Sequence, residues 1–210
     1  RMGNPELKWQ RVLKNNFGLD MTLFKERLVI GFDYFRNTTK DQLMSIPLPA
    51  STGAEDITVN FGENQNVGYE FSVAAQVIRS KNWAWTTVIN GSHVKDRINR
   101  ISTTLKNTSY QIEEDSPLRL RFREGGSQYD IYAVRSAGID PATGQEIFID
   151  RNGEYTFRYD ADDEVVVGNT QPKLQGTWLN TLRYKGWSLN LVFSYKFGGD
   201  TYNKTLWSKV

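Results

Sequence analysis

The 210-residue chain has no cysteine and one histidine, His93. These absences exclude a disulfide framework, a thiolate metal centre, a cysteine nucleophile and any site built on paired imidazoles. Long apolar runs are also missing, so no segment reaches the roughly 18 residues that a membrane-spanning helix needs. That leaves a β-barrel open, because barrel strands alternate and average to a polar hydropathy like that of this chain. Arg1-Met2-Gly3-Asn4-Pro5 lacks the charged-then-apolar pattern of a leader, so a protein exported across a membrane would carry its signal upstream. The net charge of +2 gives no reason to expect nucleic acid as a partner. No long stretch carries apolar residues at helical spacing between capping signals.

Aromatics are plentiful instead, at 13%, with 17 glycines, a mixture that suits strands and tight turns. Charge is unevenly placed. Residues 102–170 hold 13 acidic and seven basic residues, and the remainder holds 11 acidic and 19 basic. The middle segment is therefore a chemically distinct, acidic region.

Three hairpins are legible, at about 9–44, 65–101 and 172–198. In the last, Leu174, Gly176, Trp178, Asn180, Leu182 and Tyr184 share one strand face. After Lys185-Gly186, Trp187, Leu189, Leu191, Phe193, Tyr195 and Phe197 share the next, opposed by Ser188, Asn190, Val192, Ser194 and Lys196. Alternation over about ten residues is the length of a transmembrane β-strand, about twice that of a typical soluble one. The first hairpin repeats the plan with Phe17, Leu19, Met21 and Leu23 against Leu28, Ile30, Phe32 and Tyr34. The second does so with Tyr69, Phe71, Val73, Ala75 and Val77 against Trp83, Trp85, Thr87 and Ile89. Turns fall at Lys25-Glu26-Arg27, Ser80-Lys81-Asn82 and Lys185-Gly186. The prolines and glycine near 45–53 predict a loop from Ser45 to about Gln65. A further long loop is expected over about 102–171. Short turns at one end and long loops at the other are the asymmetry of an outer-membrane barrel. Phe24, Trp83, Trp85, Tyr184 and Trp187 cluster near the short turns, where aromatic rings settle at a membrane interface. The fold class is all-β: an antiparallel, up-and-down transmembrane barrel segment of about six strands.

The ordered set Asn4-Pro5-Glu6-Leu7-Lys8-Trp9, Asn16-Phe17-Gly18-Leu19-Asp20, Asn66-Val67-Gly68-Tyr69-Glu70, Asp150-Arg151-Asn152-Gly153 and Gly168-Asn169-Thr170-Gln171-Pro172-Lys173 resembles late strands of SusC/RagA-type TonB-dependent transporters. The resemblance implies a 22-stranded outer-membrane barrel whose plug domain and remaining strands lie outside this chain. It also implies a SusD-like surface lipoprotein as partner, TonB acting through the plug, and import of oligosaccharides or oligopeptides without covalent chemistry. On that reading Asp20, Glu70 and Lys196 face the lumen and apolar residues face membrane lipid.

Candidate ligand or partner contacts are Tyr129 and Tyr132, which follow the conformationally free Gly125-Gly126. Arg119, Arg121 and Arg123 alternate with Leu118, Leu120 and Phe122 and would suit an anionic ligand or lipopolysaccharide, or simply face solvent. Asp140, Asp150, Asn152, Asp160, Asp162, Asp163 and Glu164 carry the oxygen ligands that calcium takes, although their spacing departs from an EF-hand loop and a solvated acidic loop is the alternative. No catalytic constellation stands out, and His93 reads as an ordinary lumen or rim residue. Asn37-Thr38-Thr39, Asn90-Gly91-Ser92 and Asn107-Thr108-Ser109 match the glycosylation sequon by accident. Two other classes stay open: a soluble β-sandwich glycan-binding module, and a β-sandwich glycosidase using Asp150 and Glu154.

Overall fold

The computed structural model describes residues 3–47, 50–102, 122–201 and 203. Six long antiparallel strands form one sheet in the order β1 (Arg11–Leu23), β2 (Leu28–Pro47), β3 (Asp56–Arg79), β4 (Trp83–Ile101), β10 (Leu174–Tyr184) and β11 (Trp187–Phe197). Each hairpin pairs in the register its alternation requires: Phe17 opposite Tyr34, Leu191 opposite Asn180, Trp187 opposite Tyr184. β10 returns beside β4, with Trp178 opposite Ile89, so the segment between them leaves the sheet and rejoins it at the next position. Among the described residues no strand pairs with the outer edge of β1 or of β11.

The segment between β4 and β10 is not structureless. β5 (Asp130–Ala133) pairs with β9 (Val165–Asn169), and β6 (Arg135–Ile139), β7 (Glu146–Ile149) and β8 (Tyr155–Thr156) make a second small sheet. Arg119, Arg121 and the Asn107 sequon lie outside the described residues.

The structure corrects the hairpin boundaries at 44 and 65. β2 runs on to Pro47 and β3 begins at Asp56, with Ile46 opposite Ile57, so the predicted 45–65 loop shrinks to a short connection containing a 3-10 turn at Ala50–Thr52. Pro47 closes its strand, where a missing N–H costs nothing in the ladder. The extension was hidden because bulges interrupt the two-residue period at Asp41 and near Glu63. Another bulge at Val77 moves the next apolar side chain to Ile78, opposite Trp85.

Buried apolar side chains are few and are gathered at one end. Val59, Phe61, Ile98 and Ile101, with Met44, Ile57 and Phe122 against them, form a small cluster at the end away from the short turns. Among the described residues no second layer covers the panel's apolar face, and Leu13, Phe17, Trp187, Leu189, Phe193 and Phe197 are all at least half exposed.

Candidate functional site

Strand geometry sends successive side chains to opposite faces, so the register sorts the sheet into two surfaces. One face carries Leu23, Leu28, Ala75, Thr87, Asn180 and Leu191 in a single row across all six strands. Further rows follow away from the turns, ending at Phe17, Tyr34, Tyr69 and His93. No Asp, Glu, Lys or Arg falls on this face between that last row and Trp83–Tyr184 near the turns. Ten residue steps along β10 span about 34 Å of strand, roughly 25 Å when tilted as in a barrel, the height of an outer-membrane apolar band.

Several polar groups within the belt are satisfied from inside it. The Trp85 indole N–H donates to Asn180 Oδ1 at 3.1 Å, and the Trp178 indole N–H to Thr87 Oγ1 at 2.8 Å. The Tyr195 hydroxyl donates to the Asn90 carbonyl at 2.6 Å. That contact needs the facing glycines Gly91 and Gly176, where a Cβ would lie 2.8 and 2.6 Å from the Tyr195 oxygen. Satisfying every hydrogen-bonding group internally is what a hydrocarbon environment demands.

The predicted interfacial aromatics all lie at the turn end. Trp83 and Tyr184 are ring neighbours at 4.3 Å, with the Lys185 ammonium 5.2 Å from the Tyr184 ring centre. Phe24 and Trp187 are 74% and 81% exposed, and Trp85 sits one row further in.

The opposite face is polar. Asp20, Asp33, Glu70, Ser72, Asn90 and Lys196 line a trough of about 640 Å³. Asp20 leans over Gly31 and Asp33 over Gly18, each carboxylate filling the gap left by its partner's missing side chain. Asp33 and Glu70 stand directly opposite one another, a like-charge pair that a sheet keeps only where water or another partner reaches it.

At the end away from the turns, six residues between Phe122 and Gln128 tie the middle segment to the sheet. Phe122 meets Phe61 edge-on at 5.0 Å, and the Glu124 carboxylate accepts from the Ile101 N–H. Gly125 N–H and Gly126 carbonyl pair with the Ile98 backbone, each at 2.8 Å. The Ser127 hydroxyl and Gln128 N–H donate to Asp96 Oδ2 at 3.1 and 2.7 Å. Asp96 is 4% exposed and also accepts from Asn64 Nδ2 at 2.7 Å. Asp96 and Asn64 share the polar face, so the segment folds inward over it, and the Gln128 amide reaches Gln42 on β2. Asp96 was missed by sequence reasoning: within Lys95-Asp96-Arg97 it reads as one more solvated charge.

The predicted ligand residues divide. Gly125-Gly126 are fixed by the Ile98 pairing. Tyr132 is 5% exposed beneath the Arg123 guanidinium, 5.0 Å from the ring centre, and that guanidinium also donates to the Glu164 carbonyl. Burial, with Asp130 nearby, raises the Tyr132 phenol above its ordinary range, and Arg123 partly counters this. Tyr129 is 45% exposed. The His93 Nδ1–H donates to the Lys173 carbonyl at 2.6 Å, and the ring lies beside Tyr69.

The acidic residues act locally. The Thr143 hydroxyl and Ala142 N–H hold the Asp140 carboxyl below the usual carboxylate range, and the Glu154 and Asn152 N–H groups do the same for Asp150. Asp160 caps the turn at Ala161–Asp163, and Asp163 pairs with Arg151 at 3.5 Å. Among the described residues no three His, Asp or Glu side chains converge as metal ligands.

A family model described as TonB dependent receptor-like, beta-barrel matches residues 1–208. TonB-dependent receptor P3 of Formosa agariphila is 30% identical, covering 97% of this chain and 22% of that protein. TonB-dependent receptor SusC of Bacteroides thetaiotaomicron is 25% identical, covering 95% and 20%. A solved structure of the RagAB peptide transporter superposes with a TM-score of 0.77 at 26% identity, over 94% of this chain and 22% of that one. The chain thus spans about a fifth of the length of these relatives. With its uncharged outer belt, polar inner face and short turns at one end, the chain belongs to the TonB-dependent receptor β-barrel family.

Proposed function

We propose that this chain forms wall and extracellular rim of an outer-membrane transporter that imports oligosaccharides or oligopeptides. In that reading a SusD-like surface lipoprotein delivers the ligand, and TonB supplies energy through a plug domain outside the chain. The observation that carries it is one sheet with an uncharged belt on one face and Asp20, Asp33, Glu70 and Lys196 on the other. The apolar face meets lipid, the polar face lines a wet lumen, and the inward-folded segment at Asp96 narrows the lumen mouth. The likeness to SusC and to a peptide transporter supports nutrient import. The segment positions and selects, with no covalent chemistry. A soluble sandwich would cover Phe17, Leu189 and Phe193 with a second sheet, and among the described residues none lies over them.

The test places single cysteines in the full-length receptor, reconstituted in bilayers and labelled with a fluorophore. Probes at Leu191 and Phe193 are expected to be quenched by brominated lipid, and probes at Ser194 and Lys196 by aqueous iodide. Iodide quenching at all four positions would sink the wall reading. Uptake of labelled oligosaccharides against labelled peptides by cells with and without the receptor assigns the substrate class.

A further inference from the structure

The uncharged belt ends abruptly on the side away from the short turns. Its last row is Phe17, Tyr34, Tyr69 and His93, three aromatic rings and an imidazole. The next row on the same face is Asn15, Arg36, Val67 and Lys95, and the one after it places Arg97 opposite Gln65. The first charges to emerge from the belt are therefore all cationic. All three side chains are exposed.

These cations differ from their neighbours in how they are compensated. Slightly further out, Arg11 pairs with Asp41 at 3.3 Å and Lys40 with Glu63 at 4.0 Å. Among the described residues, Arg36, Lys95 and Arg97 have no carboxylate partner. The side chain between Arg36 and Arg97 is the neutral amide of Gln65, whose oxygen, with the amide suitably turned, accepts from Arg36 Nη2 at 2.9 Å. That contact aims the guanidinium and leaves its charge uncompensated. Arg36 and Lys95 flank β3, so their strands lie about 10 Å apart, a span matching two anionic groups on one large headgroup. The carboxylates nearest these cations along the same strands, Asp33, Glu70 and Asp96, fall on the other face.

We propose that Arg36, Lys95 and Arg97 form a binding site for a phosphorylated lipid headgroup of the outer leaflet. The site clamps the headgroup on the outside of the wall, while acyl chains run down over Tyr34 and Tyr69 into the belt. Cations at headgroup depth attract anionic lipid, and a guanidinium can hold a phosphate through two parallel hydrogen bonds. The proposal rests on the wall reading, because it needs this face to meet a membrane.

The test uses the full-length receptor in detergent, titrated with the bis-phosphorylated lipid anchor of lipopolysaccharide and followed by native mass spectrometry. The combined variant R36Q/K95Q/R97Q is expected to weaken binding at least tenfold, and added salt to weaken wild-type binding more than variant binding. The lumen-side variant K14Q/K196Q is expected to bind as wild type does, as is the triple variant toward the dephosphorylated lipid. Equal thermal transitions for wild type and variants verify that each has folded. Binding by the triple variant within twofold of wild type would overturn the proposal. So would displacement of the lipid by millimolar inorganic phosphate, which would mark a free-anion site. Unchanged lipid binding together with bilayer quenching at Leu191 and Phe193 defeats the headgroup site alone. Loss of that quenching defeats the wall reading beneath it.

Discussion

The six-stranded panel and the rim above it are built on opposite plans. The panel buries almost nothing of its own: its apolar side chains form an outward belt, and its order comes from backbone register and aromatic contacts such as Trp178 with Phe193. The rim has a private core in Phe61, Ile98, Val59 and Ile101, and a buried carboxylate at Asp96 that gathers three donors. A membrane wall takes its second layer from lipid, whereas a structure standing in water has to supply its own. The rim should therefore respond to core substitutions like a soluble domain, and the panel should not.

The sharpest way to break this contrast is Phe61→Ala in the full receptor. Phe61 is fully buried, so removal should cost the rim about 3–5 kcal/mol. Hydrogen exchange should rise around residues 57–61 and 98–101 and stay unchanged in the β10–β11 hairpin. Equal loss in both regions would dissolve the distinction between them. Asp96→Ala comes next, at about 2–3 kcal/mol, because Asn64, Ser127 and the Gln128 N–H lose a shared buried acceptor. Faster proteolytic nicking near residues 122–130, with the barrel intact, is the expected readout. The smallest effect belongs to the panel. Gly176→Ala places a Cβ against the Asn90 carbonyl and the Tyr195 hydroxyl, costing about 1–2 kcal/mol, and should lower the temperature at which the barrel unfolds in detergent. An unaffected rim would complete the comparison.

Legibility in the sequence follows the same division. Strands with one apolar face declare themselves by strict alternation, as β10 and β11 do around Lys185-Gly186. Where Thr58 to Gln65 continues β3 beyond the belt, only Val59 and Phe61 turn into the rim core and two nearby bulges break the period, so alternation does not reveal the strand. The turn-end aromatics could be located from spacing alone. Asp96 could not, because its burial is created by a segment that begins more than twenty residues later. The cation row beside Val67 needed three strands in register before its members became neighbours.

The two bare edges of the sheet bear on the order of assembly. β1 and β11 each leave a line of backbone N–H and carbonyl groups without a strand beside them among the described residues. In water such an edge is tolerable, but in hydrocarbon each unmade bond costs several kcal/mol. A panel that entered the bilayer before acquiring neighbours would meet a barrier no belt of aromatics could offset. Closure therefore has to precede or accompany insertion, and the hairpins of this panel must wait, paired with one another, at the membrane's edge.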